Sequence, residues 1–473
     1  MGGSGQVDTS QANDGSPQPD GQQASALPTK LFVGYGAVAA PYEMLRAPAL
    51  AILPGLYAKE FGFALASISI AMLFLRLTDG ASDLAVGVLS DKTRGTWGRR
   101  KPWLFASIFI AIPAAYGLYV PGDEPTIWSF TICYFFFYLA WTMFEIPYTA
   151  WSAELADKDE ERSRLAVWRG LGQNIGLILL SLVPLLPFLP STEMNFAALR
   201  AMFWLIAIAY PLGILYAIFW LPNGRAVPQA KQSSFRETIA AIRANRPFQL
   251  FLAVAFLSDF AVGCMTALFF LFFDTYLGVG ASFTAIFLTA IVVSTLSLKL
   301  WQHLLKRTSK TGVLLVGLAG GAIAGATIAV LEPGPNALAF FIGFMALFYT
   351  LGVARDVALY AIFGDIVDYD SWKSNGNRAG LYSSAWMVLR KIAYATAPAF
   401  AFLVAGLFGF DPSADALSDM AIFGLKAANG YLPALFLIAA ACLAAMFPIT
   451  KARHKLIRRR LEQRSLRSSG WWM

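Results

Sequence analysis

From Leu31 to Thr450 the chain repeats one unit, an apolar run long enough to cross a membrane followed by a short polar break. A hydrocarbon core needs roughly 20 apolar residues of helix. Twelve segments meet that length: 31–57, 64–90, 101–120, 127–151, 164–189, 199–221, 248–277, 281–304, 311–331, 336–364, 379–409 and 427–450. Backbone amides inside lipid must satisfy one another, so such segments cross as helices. Only 14% of the residues are charged and 57% are hydrophobic, whereas a soluble domain carries about 25% charge. The chain is read as an all-α membrane protein with twelve transmembrane helices.

Loop charge sets the orientation. Breaks after even-numbered spans are basic: Lys92 to Lys101, then Lys158, Arg162 and Arg164, then Arg225 to Arg246, then Lys306, Arg307 and Lys310, then Lys373 and Arg378. Breaks after odd-numbered spans carry acids, among them Asp123, Glu124, Glu193, Glu332, Asp411, Asp415 and Asp419. The positive-inside rule then places both termini in the cytoplasm. The longest polar break, 222–247, falls in the middle and divides the chain into six-helix bundles over 30–221 and 248–450. A duplication is expected, although LLKRTSKTG after span 8 matches LSDKTRGTWGRRK after span 2 only faintly and lacks its aspartate.

Residues 1–29 are rich in Gly, Ser, Gln, Asp and Pro, contain no apolar signal-peptide core, and are expected to form a disordered cytoplasmic segment. The basic tail, 451–473, is expected to lie against anionic membrane lipid. The net charge of +8 comes largely from loop bases, so no nucleic-acid partner is expected. Cys133, Cys264 and Cys442 lie in apolar runs and suit neither a disulfide framework nor a metal site. His303 and His454 lie in basic segments, which argues against a histidine proton relay.

Charge at membrane depth costs about 2.5–3.5 kcal/mol on insertion scales, so the charged residues inside the spans are candidates for function. Asp79 and Asp83 are four apart in span 2 and share one helix face. With a hydroxyl such as Thr142 they can replace the hydration shell of sodium, or one of them can hold a proton. The alternative is a structural pairing with Arg76, Arg169 or Lys391. Lys391 lies deep in span 11, where reaching the membrane surface is awkward, and is read as the countercharge that occupies the site without a cation. Arg390 is read as snorkelling or structural. Glu145 and Arg169 can contact a polar solute or pair with each other, and Thr149 is grouped with them. Trp141 and Trp151 can stack on a sugar ring or pack. Glu43 is a further solute candidate, although its spacing from Arg46 suits an internal pair. Asp259 and Asp356 carry less weight. In the loop GVLSDKTRGTWGRRKP, Asp91 with Arg94, Arg99 and Arg100 is read as a conformational latch.

GVLSDKTRGTWGRRK resembles the loop 2–3 signature of the major facilitator superfamily. RLTDGASD with GRRKPW resembles the glycoside–pentoside–hexuronide:cation symporters, typified by the melibiose permease. FEIPYTAWSAEL, DEERSRL, NRPFQLFL and GDIVDYDSWKSNGNRAGLYSSAWMVLRK extend the likeness over nearly all of 31–450. The resemblance implies a cation site at Asp79, Asp83 and Thr142 with Lys391 nearby, and solute contacts from Glu145 (an Asp in the melibiose permease) and Arg169. One departure bears on the solute. The Lys-Asp pair of galactoside-binding members is replaced by Ala40 and Pro41, with Glu43 just beyond. The expected function is symport of a sugar, glycoside or related small polar solute, coupled to Na+ or H+ (or Li+), in a bacterial inner membrane, by a monomer with no cofactor. A lysolipid or amphiphile carrier, an uncoupled uniporter and a transport-dead sensor remain open. No HExxH or GxSxG motif appears at membrane depth, so an enzyme is not expected.

Overall fold

The computed structural model describes residues 28–156, 158–224, 235–374, 378–448 and 451–468. The expected disorder of the N-terminal segment falls on residues outside these, apart from Pro28 and Thr29. Helix α1 (Thr29–Ala51) breaks at Ile52 and resumes as α2 (Leu53–Phe61), which starts with a proline in its first turn and ends on left-handed Gly62. The other N-terminal spans are α3 (Leu65–Lys92), α4 (Lys101–Tyr119), α5 (Ile127–Leu155), α6 (Asp159–Leu182) and α7 (Phe196–Trp220). A short amphipathic helix, α8 (Phe235–Ala244), lies in the central break. The C-terminal spans are α9 (Arg246–Leu271), α10 (Phe283–Arg307), α11 (Lys310–Ile328), α12 (Ala337–Ser374), α13 (Ala379–Leu407), and α14 (Asp419–Lys426) joined through a π-helical turn to α15 (Leu432–Ala445). The basic helix α16 (Lys451–Ser468) follows.

Among the described residues, eleven helices are long and apolar enough to cross a membrane. The twelfth is α1, which has the length, about 34 Å at 1.5 Å per residue, but carries Glu43 and Arg46. Two expected boundaries move by eight residues or more. Helix α12 runs ten residues past 364 because Asp365 and Asp370 at its polar end pair with Lys310 and Arg378. The last span starts at Asp419 rather than 427, where the Ser418 hydroxyl caps α14.

The duplication that is faint in the sequence is plain in the packing. In the N-terminal half α1 packs on α6 and α7, α4 on α5 and α7, and α3 on α5. In the C-terminal half α9 packs on α13 and α15, α11 on α12 and α15, and α10 on α12, the same five pairings. The halves meet through α3 with α13, α6 with α10, and α1 with α9. A base at the start of the third span meets an acid on the fourth in both halves: Arg100 with Glu154, and Lys310 with Asp365.

Small residues set the tightest contact. A Cβ on Gly172 of α6 would stand 2.0 Å from the Gly36 carbonyl oxygen of α1, and one on Gly176 would stand 2.3 Å from the Ala40 oxygen. Glycine spaced by four lets the backbones touch, as membrane helices require when no water drives them together. Gly172→Val is expected to lower stability by roughly 1–3 kcal/mol, the usual range for overpacking. A lower melting temperature of the detergent-solubilised protein would show it.

Among the described residues, the halves close on each other at one end. Ser69 donates to the Ala399 carbonyl at 2.6 Å, Thr284 to the Ser181 carbonyl at 2.6 Å, and Lys59 to Asp274 at 2.6 Å. One apolar core runs across both halves there, from Leu56 and Phe196 to Phe273 and Phe341. At the other end, which bears the termini, the C-terminal half keeps a separate core around Phe248, Phe251 and Trp386.

Candidate cation and solute site

Asp79 and Asp83 sit one turn apart on α3, and α5 lays Thr142 against them. The Thr142 hydroxyl is 3.1 Å from Asp79 Oδ1 and 3.1 Å from Asp83 Oδ1. Asp79 is 8% exposed and Thr142 2%, so this oxygen cluster is withdrawn from bulk water. Two positive groups hold it. Arg76 lies 3.8 Å from Asp79 Oδ2 and covers the Tyr138 ring at 4.5 Å. Lys391 reaches across from α13, in direct contact with the Asp83 carboxylate and 3.7 Å from Asp79 Oδ2. The oxygen set suits a hard monovalent cation, and the lysine stands where that cation would compete with it.

A second cluster lies on α1, α5 and α6. Arg169 meets Glu145 Oε1 at 2.5 Å and Thr149 Oγ1 at 2.8 Å. It therefore pairs with Glu145, not with the aspartates. Glu145 Oε2 is buried with no hydrogen-bond partner, and Thr149 is exposed. Glu43 is placed differently from the expected solute ligand. Arg46 occupies both its oxygens at 2.5 and 3.1 Å, and Gln173 reaches Oε2 at 3.3 Å. Glu43 is 3% exposed and therefore holds Arg46, which covers the Trp141 ring at 5.2 Å. Trp141 stacks on Tyr138 and keeps a partly exposed face. Trp151 is 1% exposed beside Lys101, which makes it packing rather than a sugar platform.

The third cluster lies in the C-terminal half. Buried Arg355 meets Asp356 Oδ1 at 2.7 Å and Asp259 Oδ1 at 3.3 Å, and Arg390 lies 3.8 Å from Asp259 Oδ2. The three clusters together hold six carboxylates (Glu43, Asp79, Asp83, Glu145, Asp259 and Asp356) and six cations (Arg46, Arg76, Arg169, Arg355, Arg390 and Lys391). With every one of these groups ionised, the charges would cancel.

The basic loop makes a network around an acid that the sequence did not single out. Arg100 contacts Asp91 at 2.6 Å and Glu154 at 2.7 Å, and Arg99 contacts Glu154 at 3.1 Å. Arg94 is exposed. Three of the latch residues, Asp91, Arg99 and Arg100, thus tie α3, α4 and α5 together within the N-terminal half. Glu154 is next to last in FEIPYTAWSAEL, and one polar residue at a helix end gave no pattern to mark it. The Lys59–Asp274 pair was missed for another reason, since its partners are 215 residues apart.

A family model described as MFS/sugar transport protein matches residues 34–451. The chain belongs to this family. It is a multi-pass membrane transporter of the MFS/sugar transport family, with the fold that the resemblance implied. A putative sulfoquinovose importer of Salmonella typhimurium is 25% identical, covering 86% of this chain and 87% of its own. A glucuronide carrier protein homolog of Escherichia coli is 22% identical, covering 91% and 95%. Among solved structures, a bacterial homolog of the human lysosomal transporter Spinster, inward-facing and unoccupied, superposes with a TM-score of 0.64. That match has 15% sequence identity and covers 89% of this chain and 96% of the other.

Proposed function

We propose that this transporter carries out symport of a sugar or sugar-like solute with one monovalent cation, Na+ or H+, by alternating access. The observation that carries the reading is the position of Lys391, which rests on the same two carboxylates that a cation would use. Cation and lysine are then alternatives. A cation at Asp79 and Asp83, or a proton on one of them, releases a lysine attached to the opposite half. Binding is thereby linked to the relation between the halves. Thr142 supplies a neutral oxygen to the cation, while Glu145, Arg169, Thr149 and Trp141 face the solute. Both relatives above are named for sugars that bear an acid group. Loop charge supports cytoplasmic termini, so the closed end faces outward and the conformation is inward-facing. The network around Arg100 is proposed to keep the inner ends of α3, α4 and α5 moving as one body.

The test is uptake into proteoliposomes under an inward sodium gradient, and separately under an inward proton gradient in choline. Concentrative uptake under one gradient supports symport, and uptake indifferent to both would leave a uniporter. Lys391→Ala removes the competitor for the carboxylates. It is expected to raise apparent cation affinity about tenfold, the usual scale of an allosteric coupling term, while solute accumulation is lost. Unchanged cation affinity would remove Lys391 from the mechanism.

A further inference from the structure

Helix α16 is pinned to α12 by His454, whose Nε2 lies 2.9 Å from Asp368 Oδ2 and 3.2 Å from Asp365 Oδ1. Lys310 also holds Asp365, and Arg378 holds Asp370, so these three acids of α12 are engaged. The pin sets the rotation of α16. Residues 453, 456, 457 and 460, spaced as one helix face, line a cavity of about 540 Å³ together with the start of α9 and the end of α12. Small-molecule sites run from about 300 to 1,000 Å³. The lining is of two kinds. Arg246, Arg453 and Arg460 bring three guanidiniums, and no acid is among the described residues that line the cavity. The other six lining residues are apolar or aromatic, Trp372, Leu456 and Ile457 among them. Arg460 covers the Trp372 ring at 5.6 Å, and Arg453 Nη1 donates to the Pro448 carbonyl at 3.0 Å.

Position and chemistry together name the occupant. Arg246 opens α9 and α15 closes at Ala445, so the cavity lies level with the ends of two membrane spans. Cations gathered around one space without an acid repel one another, and a phosphate accepts from several guanidiniums at once. A free phosphate would leave the apolar part of the lining in water, where Leu456 is already 57% exposed. A phospholipid covers both parts. We propose that the cavity between α9, α12 and α16 seats one anionic phospholipid, with its phosphate on Arg246, Arg453 and Arg460. Its glycerol and upper acyl chains lie on Trp372, Leu456 and Ile457. Basic pockets at the ends of membrane helices take such headgroups. The bound lipid completes the docking of α16, because its phosphate ties two arginines of that helix to the first residue of α9. A general attraction of the tail to negative lipid would use all of its bases alike. A seat in the cavity uses only those that line it, and exposed Lys455 and Arg459 do not.

The experiment titrates the detergent-solubilised full chain with phosphatidylglycerol or phosphatidylcholine of the same acyl chains and counts bound lipid by native mass spectrometry. One phosphatidylglycerol is expected to bind with about 100-fold preference, the usual surface contribution of three basic residues. Arg246→Gln combined with Arg460→Gln should lose about 30-fold of that preference. Lys455→Gln combined with Arg459→Gln removes the same charge from the other side of α16 and should keep the preference within about threefold, since exposed charges are screened. All four side chains are exposed, and melting temperatures without lipid, close to that of the wild type, show that both variants are folded. Phosphatidylglycerol should also slow amide hydrogen exchange over residues 451–468 in the wild type and not in the Arg246–Arg460 variant. Equal losses in the two variants, or no preference in the wild type, would overturn the seat and leave only the general charge of the tail. Displacement of the lipid by an equal concentration of inorganic phosphate or glycerol phosphate would make this a site for a soluble phosphate and overturn the lipid assignment. Exchange in α16 that ignores bound lipid would overturn the docking role.

Discussion

Asp83→Asn is expected to abolish both cation-driven accumulation and the protection against unfolding that the cation gives. A ligand that binds only the folded state stabilises it by about 2.7 kcal/mol at 100 times its dissociation constant. The wild type should gain on that order in saturating sodium, or at low pH if the proton is the partner, and the variant should gain nothing. Asp83 is a better target than Asp79 because of what each substitution leaves behind. Asp79→Asn strips a carboxylate from Arg76, whose side chain is 11% exposed and whose Nε already lacks a hydrogen-bond partner. Burying a cation with no partner destabilises the fold itself. Asp83→Asn takes its charge partner only from Lys391, which is half exposed and can turn to water, and the amide oxygen can still accept from Thr142. Melting curves in sodium, lithium and choline at several pH values would decide the matter. A variant that kept the wild-type cation response would make the paired aspartates structural.

Apolar run length and loop charge carried nearly all of the fold, because membrane insertion acts on those two properties directly. The span through α1 was legible by its length as well, although Glu43 and Arg46 spend part of its hydrophobicity on a pair. Asp79 and Asp83 were legible because their spacing is local, one turn of one helix. Lys391 stood out by its depth alone, and only the packing of α13 on α3 brings it to them. Glu43 illustrates the reverse. Its sequence position made it a solute candidate, but Gln173 on α6, which no local spacing points to, helps close its carboxylate off. The halves are similar in packing rather than in residues, so the Lys310–Asp365 counterpart of Arg100–Glu154 became visible only when α11 and α12 were seen side by side.

Breaking the Lys59–Asp274 bridge should open the end of the molecule that is closed here, and the two single substitutions should differ. The pair joins α2 of one half to the π-helical turn after α9 of the other. The Asp274 side chain is 2% exposed and that of Lys59 33%. Lys59→Ala leaves a carboxylate buried and unpaired, a loss of about 3–5 kcal/mol for a fully buried pair, and of the lower end of that range here because the lysine is partly hydrated. Asp274→Asn leaves a lysine that can turn to water, so its effect should be well under half as large. A bias of about 3 kcal/mol moves a two-state equilibrium by roughly 100-fold. Lys59→Ala should therefore shift the protein toward the state open at this end and slow its return. Cysteines placed at Ser69 and Thr284, whose hydroxyls now bridge the halves, would report it through faster labelling by an impermeant maleimide. Labelling is expected to rise most in Lys59→Ala, less in Asp274→Asn, and to fall back toward wild type in the exchanged pair Lys59→Asp with Asp274→Lys. Equal labelling in all of them would mean that the apolar contacts alone hold this end shut.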